Sequence, residues 1–141
     1  MELSEDLKTC PCSSKLPYQQ CCEPYHKGKP APNALSLMRS RYAAYALGLA
    51  DYIITTTHPK NPARKPNLPL WRKELLAFTK GTKFKGVSIL EFSDGENEAF
   101  VSFTAYLEQL GKDASFGERS RFVKEKGKWL YESGDVQRFL T

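Results

Sequence analysis

The sequence predicts an α+β protein, with three helices followed by a four-stranded antiparallel sheet and a small cysteine-bearing knob ahead of both. Three observations carry this. Apolar residues recur at helical spacing only between Ala34 and Phe78, while runs rich in β-branched and aromatic residues, split by short turns, fill the chain from Phe84 onward. All four cysteines fall between Cys10 and Cys22. Helices first and hairpins afterwards is an α+β layout.

The cysteines come first in the chain, as C-x-C-x8-C-C. Four thiols so spaced serve either as disulfides or as ligands of one metal ion. Cys10 and Cys12 can aim two sulfurs at one centre from a tight turn, and an eight-residue loop is long enough to return Cys21 and Cys22. Disulfides would be comfortable only as cross-pairs between the two ends. The run Met1-Glu2-Leu3-Ser4-Glu5-Asp6 is acidic and lacks an apolar centre, so it does not read as a signal peptide. A cytoplasmic chain meets a reducing environment, which favours the metal. Four thiolates suit one structural zinc ion in a closed tetrahedral site, with no open position to activate water.

Glu23 to Pro32 holds three prolines and a glycine and reads as an extended, stiff linker. The chain divides into a zinc motif over 1–28, a linker over 29–33 and an α+β domain over 34–141. His26 is an alternative zinc ligand or a surface or hinge residue.

Asn33 can cap a helix over Ala34 to Leu47, in which Leu35, Met38, Tyr42, Tyr45 and Leu49 step by three or four along one face. Gly48 ends or bends it. A second, short helix runs from Ala50 to Thr57, closed by His58-Pro59 because a residue before proline avoids the helical region. After a basic, proline-rich loop over Pro59 to Pro66, a third helix starts at Leu68. Its stripe is Leu68, Trp71, Leu75 and Phe78, and its stop is Gly81.

Strands are expected over Phe84–Phe92, Glu98–Leu110, Ala114–Glu125 and Lys128–Glu132, with turns at Asp94-Gly95, Gly111-Lys112-Asp113 and Lys126-Gly127. In the second, Ala99, Val101, Phe103, Ala105 and Leu107 alternate with Phe100, Ser102, Thr104 and Tyr106, giving one face apolar enough to receive the helices.

Composition narrows the function classes. The 40% hydrophobic content supports a core, but no window nears the ~18 apolar residues of a membrane span. A net charge of +5, from 21 basic and 16 acidic residues, is a mild excess, compatible with an acidic protein or nucleic acid as partner.

Three resemblances follow from these residues. The stretch Cys10 to Cys22 resembles the SEC-C motif, the zinc-binding element named for the tail of the SecA translocation ATPase, which reads C-x-C-G-S-G-K-K-Y-K-K-C-[CH]. Cys10, Cys12, Ser14, Tyr18, Cys21 and Cys22 fall on matching places. Ser13 and Lys15 stand where that family prefers glycine, so the turn is less free to adopt positive φ. Leu16, Pro17, Gln19 and Gln20 replace most of its lysines, which removes charge that would serve docking on an acidic chaperone. Three helices in the concavity of a curved four-stranded sheet resemble the nuclear transport factor 2-like cone. The helix Leu37-Met38-Arg39-Ser40-Arg41-Tyr42-Ala43-Ala44-Tyr45, shortly after the cysteine element, is similar to the YchJ-like family of bacterial proteins over essentially the whole chain. That resemblance implies a fold and a metal, without a reaction.

Candidate pocket residues are Arg39, Arg41, Tyr42, Tyr45, Tyr52, His58, Trp71, Glu118, Arg119 and Arg121. Folds of this kind host isomerases and dehydratases, and Asp51, Tyr52 and His58 offer acid–base groups. Against this, Tyr42 and Tyr45 lie on the apolar stripe as core aromatics, His58 suits a helix end, and Arg39 or Arg41 can pair with Glu118 to hold helix and sheet in register. Two functions are therefore expected. The favoured one is a non-catalytic binding or adaptor module, with a structural zinc and a basic surface at Lys27, Lys29, Lys60, Arg64 and Lys65. The alternative is a cone that holds a small-molecule ligand, as an isomerase- or dehydratase-like enzyme in which an arginine grips an anionic group.

Overall fold

In the computed structural model, which describes residues 9–137, the chain first turns back on itself through a single 3-10 turn at Tyr18–Gln20. The acidic run Met1 to Asp6 and the last residues of the 34–141 unit lie outside the described residues. Glu23–His26 form one helical turn, α1, with Pro24 in its first turn, where the missing N–H costs nothing. The linker reading of Glu23 to Pro32 is thus corrected at its start. Irregular chain begins only after His26.

Helix α2, Ala34–Leu47, begins where Asn33 Oδ1 accepts from the Ser36 amide at 2.8 Å and ends at Gly48, whose φ of 74° is the left-handed cap expected of glycine. Its burial is two-sided. Met38 and Tyr42 face the sheet core, while Ala43 packs with Cys10, Cys12 and Cys22. The single stripe expected from Leu35 to Leu49 captured the first face and missed Leu37, Ser40, Ala43 and Ala44, all buried.

Helix α3, Ala50–Thr55, stops two residues earlier than expected. Residues 56–58 leave it to join the sheet: Tyr131 N donates to Thr56 O and His58 N to Tyr131 O, both at 2.8 Å, making a parallel bridge at Thr57. Helix α4, Leu68–Lys80, is capped by Asn67 Oδ1 accepting from Leu70 N at 3.0 Å and closes at Gly81. Of its expected stripe only Trp71 is buried; Leu68 and Phe78 stay more than a third exposed, and α4 packs mainly on α2 and α3.

The sheet comprises β1 (Lys83–Ser93), β2 (Glu98–Gln109), β3 (Lys112–Asp113), β4 (Phe116–Glu125) and β5 (Lys128–Gln137). The four long strands run β1-β2-β4-β5, each antiparallel to its neighbour, and β3 is a two-residue pairing on β2. Ala99, Val101, Phe103, Ala105 and Leu107 are buried, as their alternation predicts. β4 starts at Phe116 rather than Ala114, because Ser115 Oγ accepts from the Leu107 amide at 3.0 Å and holds the chain out of the ladder. β5 runs on to Gln137, past the expected end at Glu132. Gly134 is part of the ladder opposite Ser120, not a break in it. Among the described residues, no helix is long and apolar enough to cross a membrane.

Candidate functional site

Cys10, Cys12, Cys21 and Cys22 converge so that their sulfurs all lie within 4.8 Å of one another, and all but Cys21 are buried. Cys12 Sγ is 3.5 Å from Cys21 Sγ, and Cys21 Sγ 3.8 Å from Cys22 Sγ. A disulfide needs about 2.05 Å, so these are four free thiols and the cross-paired alternative does not hold. Sulfurs about 2.3 Å from a tetrahedral ion would sit roughly 3.8 Å apart, so the cluster fits one metal ion. Proton chemistry agrees. Hydrogen bonds from Cys10 and then Cys22 hold the Cys12 thiol well below its ordinary value, while the bond to Cys12 pushes Cys10 up to about 12 and the bond to Cys10 pushes Cys22 up. One thiolate is stabilised at the expense of its neighbours; four together need a cation.

The loop reaches this shape with Ser13 at φ 67° and Lys15 at φ 69°. The positive φ that glycine would give freely is thus taken by two larger residues, at about 1–2 kcal/mol each. Ser13 recovers part of this, because its Oγ accepts from the Val87 amide of β1 at 3.0 Å. Ser14 Oγ lies 3.1 Å from Cys21 Sγ.

The cysteine loop is seated on the domain rather than tethered to it. Arg39 Nη1 donates to the Cys12 carbonyl at 2.7 Å. His26 Nε2 lies 2.8 Å from the Ser40 carbonyl, which can only accept, so Nε2 carries the proton and Nδ1 accepts from the Tyr18 hydroxyl at 2.7 Å. His26 is therefore neither a ligand nor a surface hinge. It pins α1 to α2, and burial holds its pKa below the ordinary histidine value.

The cone encloses a cavity of about 310 Å³. Its walls are mainly apolar and aromatic, including Tyr45, Leu75, Phe78, Phe84 and Phe103, with Tyr45 and Phe78 edge to face at 5.9 Å. Glu118, Ser120, Tyr131 and Arg41 bring polar groups to it. Glu118 Oε2 accepts from the Ser120 hydroxyl and, at 3.0 Å, from the Tyr131 hydroxyl. Burial, then the Glu118 charge, raises the Tyr131 pKa, so that phenol stays protonated as a donor. A Cβ on Gly134 would collide with both Glu118 Oε2 and the Tyr131 hydroxyl, so any side chain there must displace this pair.

Arg41 is 7% exposed. Its Nη1 donates to Ile53 O at 3.1 Å, Thr56 Oγ1 at 2.7 Å and Thr57 Oγ1 at 3.1 Å, and its guanidinium lies 4.6 Å from the Tyr131 ring centroid. The expected pairing of Arg39 or Arg41 with Glu118 is corrected: Arg39 reaches the cysteine loop, and Arg41 holds the end of α3. No carboxylate lies within 4 Å of either among the described residues.

Of the candidate pocket residues, the fold brings Arg41, Tyr42, Tyr45 and Glu118 to the cavity. Arg119 and Arg121 alternate with Glu118 and point to the opposite face, where Arg119 stacks on Phe100 at 3.9 Å and Arg121 joins Glu98 and Glu132. Strand period alone excludes Glu118 and Arg119 from one pocket. Trp71 is buried outside the cavity, with Arg64 5.5 Å from its ring centroid. The acid–base trio is dispersed. Asp51 pairs with Arg72 at the surface, and Tyr52 bonds Ser40 Oγ at 2.7 Å. His58 spends Nε2 on Glu125 and Nδ1 on the Lys60 amide. Sequence reasoning missed Ser120, Tyr131 and Gly134. The inward register of β4 could have given Ser120, and Tyr131 lies within the expected last strand, whereas Gly134 depends on the extension of β5 past Glu132.

The basic surface is partly spent. Lys27 faces Glu23 at 3.6 Å, Lys65 pairs with Glu74 at 2.6 Å, and Arg64 donates to Thr57 O at 3.2 Å.

Comparison with known proteins agrees with this architecture. The family model described as "YchJ, middle NTF2-like domain" matches residues 33–134. The solution structure of a SEC-C motif containing protein from Rhodopseudomonas palustris is similar at 33% identity and a TM-score of 0.77, covering 90% of this chain and 97% of that one. A SEC-C motif containing protein from Psychrobacter arcticus is similar at 30% identity and a TM-score of 0.75, covering 96% of this chain and 86% of that one. A calcium/calmodulin-dependent protein kinase type II association domain from Thiobacillus denitrificans, at 11% identity and a TM-score of 0.59 over 79% of this chain and 99% of that one, shares the fold alone.

Proposed function

The chain belongs to the YchJ-like family, with a nuclear transport factor 2-like domain behind a SEC-C-like cysteine loop, and from that footing we propose that it is a small-molecule-binding protein whose cone holds the ligand and whose zinc is structural. One observation carries the reading: Glu118 and Arg41 line the same apolar cavity without neutralising one another. Glu118 commits Oε2 to Ser120 and Tyr131 and leaves Oε1 without a partner among the described residues, while Arg41 commits Nη1 and leaves Nη2 free in the same sense. Neither spare group is sealed from solvent, so each is met by water or by something that takes the place of water. A ligand that offers a donor to Glu118 and an acceptor to Arg41, on an apolar body suited to Phe84 and Phe103, does so. This is the usual composition of a ligand pocket, apolar walls with a few convergent polar groups.

Cys10, Cys12, Cys21 and Cys22 are the residues to hold zinc, and four thiolates supply a cross-link with no free coordination position. The adaptor reading through the basic surface has less support, since Lys27, Arg64 and Lys65 already have partners. Dispersal of Asp51, Tyr52 and His58 likewise removes the acid–base set that would favour an isomerase or dehydratase.

The test is extraction of small molecules from the protein purified under non-denaturing conditions, beside an Ala105→Phe variant that fills the cavity from β2. A compound recovered from the parent and lost from the folded variant is the expected result. Equal recovery from both would overturn the proposal.

A further inference from the structure

Arg41 and Glu118 are linked through one shared side chain. The Arg41 guanidinium lies 4.6 Å from the Tyr131 ring centroid, and the Tyr131 hydroxyl donates to Glu118 Oε2 at 3.0 Å. A positive and a negative charge in the wall of one cavity are thus held a single phenol apart, and among the described residues they do not meet as an ion pair. Neighbours fix each of them. Ile53 O, Thr56 Oγ1 and Thr57 Oγ1 hold Arg41 Nη1, and Ser120 joins Tyr131 on Glu118. Neither the unused Glu118 Oε1 nor the unused Arg41 Nη2 is sealed from solvent. The rest of the wall is strongly aromatic, with Tyr42, Tyr45, Phe84, Phe103, Phe116 and Phe122.

This wall restricts a ligand by charge. An apolar body entering the cone displaces water from both groups, and a formal charge stripped of water is costly unless a partner meets it. A monoamine meets Glu118 but brings a like charge near Arg41, and a monocarboxylate does the reverse. A molecule with one ammonium and one carboxylate answers both, through charge-assisted hydrogen bonds. The short gap between the wall charges suits an α-amino acid head group, in which the two charges flank one carbon. An aromatic side chain suits the remaining wall, since rings pack edge to face on rings with a gain beyond the area they bury. At about 310 Å³ the cavity stands at the small end for ligand pockets, with room for one such molecule. On the footing that the cone is a ligand site, we propose that its ligand is a zwitterionic α-amino acid with an aromatic side chain, its ammonium on Glu118 and its carboxylate on Arg41.

The probes are L-phenylalanine, phenethylamine and hydrocinnamate, which share a phenyl body and differ in the charges of the head group. Each is titrated by calorimetry into the full-length, metal-loaded protein. L-Phenylalanine should bind at least about tenfold tighter than either relative, because each relative lacks one charge-assisted bond. Glu118→Gln should weaken L-phenylalanine and phenethylamine about tenfold, while hydrocinnamate, relieved of a like charge, gains. The proposal fails if L-phenylalanine does not bind, if either relative binds as tightly, or if Glu118→Gln leaves L-phenylalanine unchanged. Ala105→Phe separates this failure from that of the cone reading. A relative that binds the parent as tightly as L-phenylalanine and is lost from the folded Ala105→Phe variant overturns the amino-acid class and keeps the cone. Probes that bind parent and variant alike overturn both.

Discussion

The Tyr42 hydroxyl donates to the Gly86 carbonyl at 2.8 Å and accepts from the Gly86 amide at 2.9 Å. Gly86 sits at a bulge in β1, between the pairs Phe84–Leu107 and Gly86–Tyr106, with φ at 141°. One side chain of α2 thus satisfies both backbone groups at the irregularity, and burial raises its own pKa to about 12. Tyr42→Phe should cost about 1–3 kcal/mol, the cost of orphaning those groups. Urea unfolding measures it, and a change below a few tenths of a kcal/mol would mean that water replaces the hydroxyl.

Removal of the metal should be felt in the cone. Arg39 and Ser13 each join the cysteine loop to the domain by a hydrogen bond worth about 1 kcal/mol. Cys21→Ser, or chelation of the parent, should release one ion per chain and lower the melting temperature of the whole protein by several degrees, in a single transition. Metal analysis beside calorimetry decides it. Two separate transitions, with the main one unmoved, would show that the loop folds on its own account.

Gly134→Ala should displace the Glu118–Tyr131 pair, since the new methyl occupies the space of both oxygens. A loss of about 1–3 kcal/mol is expected, together with loss of any compound recovered from the cone. A variant as stable as the parent, with ligand retained, would mean that β5 yields without cost.

His26 sets a pH dependence whose sign follows from its burial. Its folded pKa lies below the unfolded value of about 6.5, so below that pH the unfolded chain binds more protons than the folded one. This contribution to stability is full above pH 6.5 and is lost as pH falls through the folded pKa. NMR titration of the His26 ring in metal-loaded protein should give a midpoint under 6.5. A midpoint at or above it would mean that the favourable contacts of the charged ring outweigh its burial.

Local signals carried much of this into the sequence. Asn33 and Gly48 bound α2 through a cap and a left-handed residue, both fixed by side-chain chemistry within a few positions. The alternation of β2 names its own buried face. The four cysteines announce their cluster by spacing alone. What was hidden depends on tertiary partners. Ala43 reads as a helix former until the cysteine loop covers it, and His26 reads as loop until Ser40 and Tyr18 claim both nitrogens. Gly134 lies past the expected end of the last strand, and its reason, the Glu118 carboxylate of β4 beside Tyr131, exists only once the two strands pair.

The order β1-β2-β4-β5 leaves two strands with an outward row of backbone groups, and an exposed row of that kind recruits other chains. Residues 56–58 occupy part of the β5 border, and Ser13 of the cysteine loop meets the Val87 amide on the β1 border. The metal loop is therefore also a guard. If the cysteines hold an ion, its removal should uncover β1 and increase self-association with rising concentration, even where the helices and sheet survive.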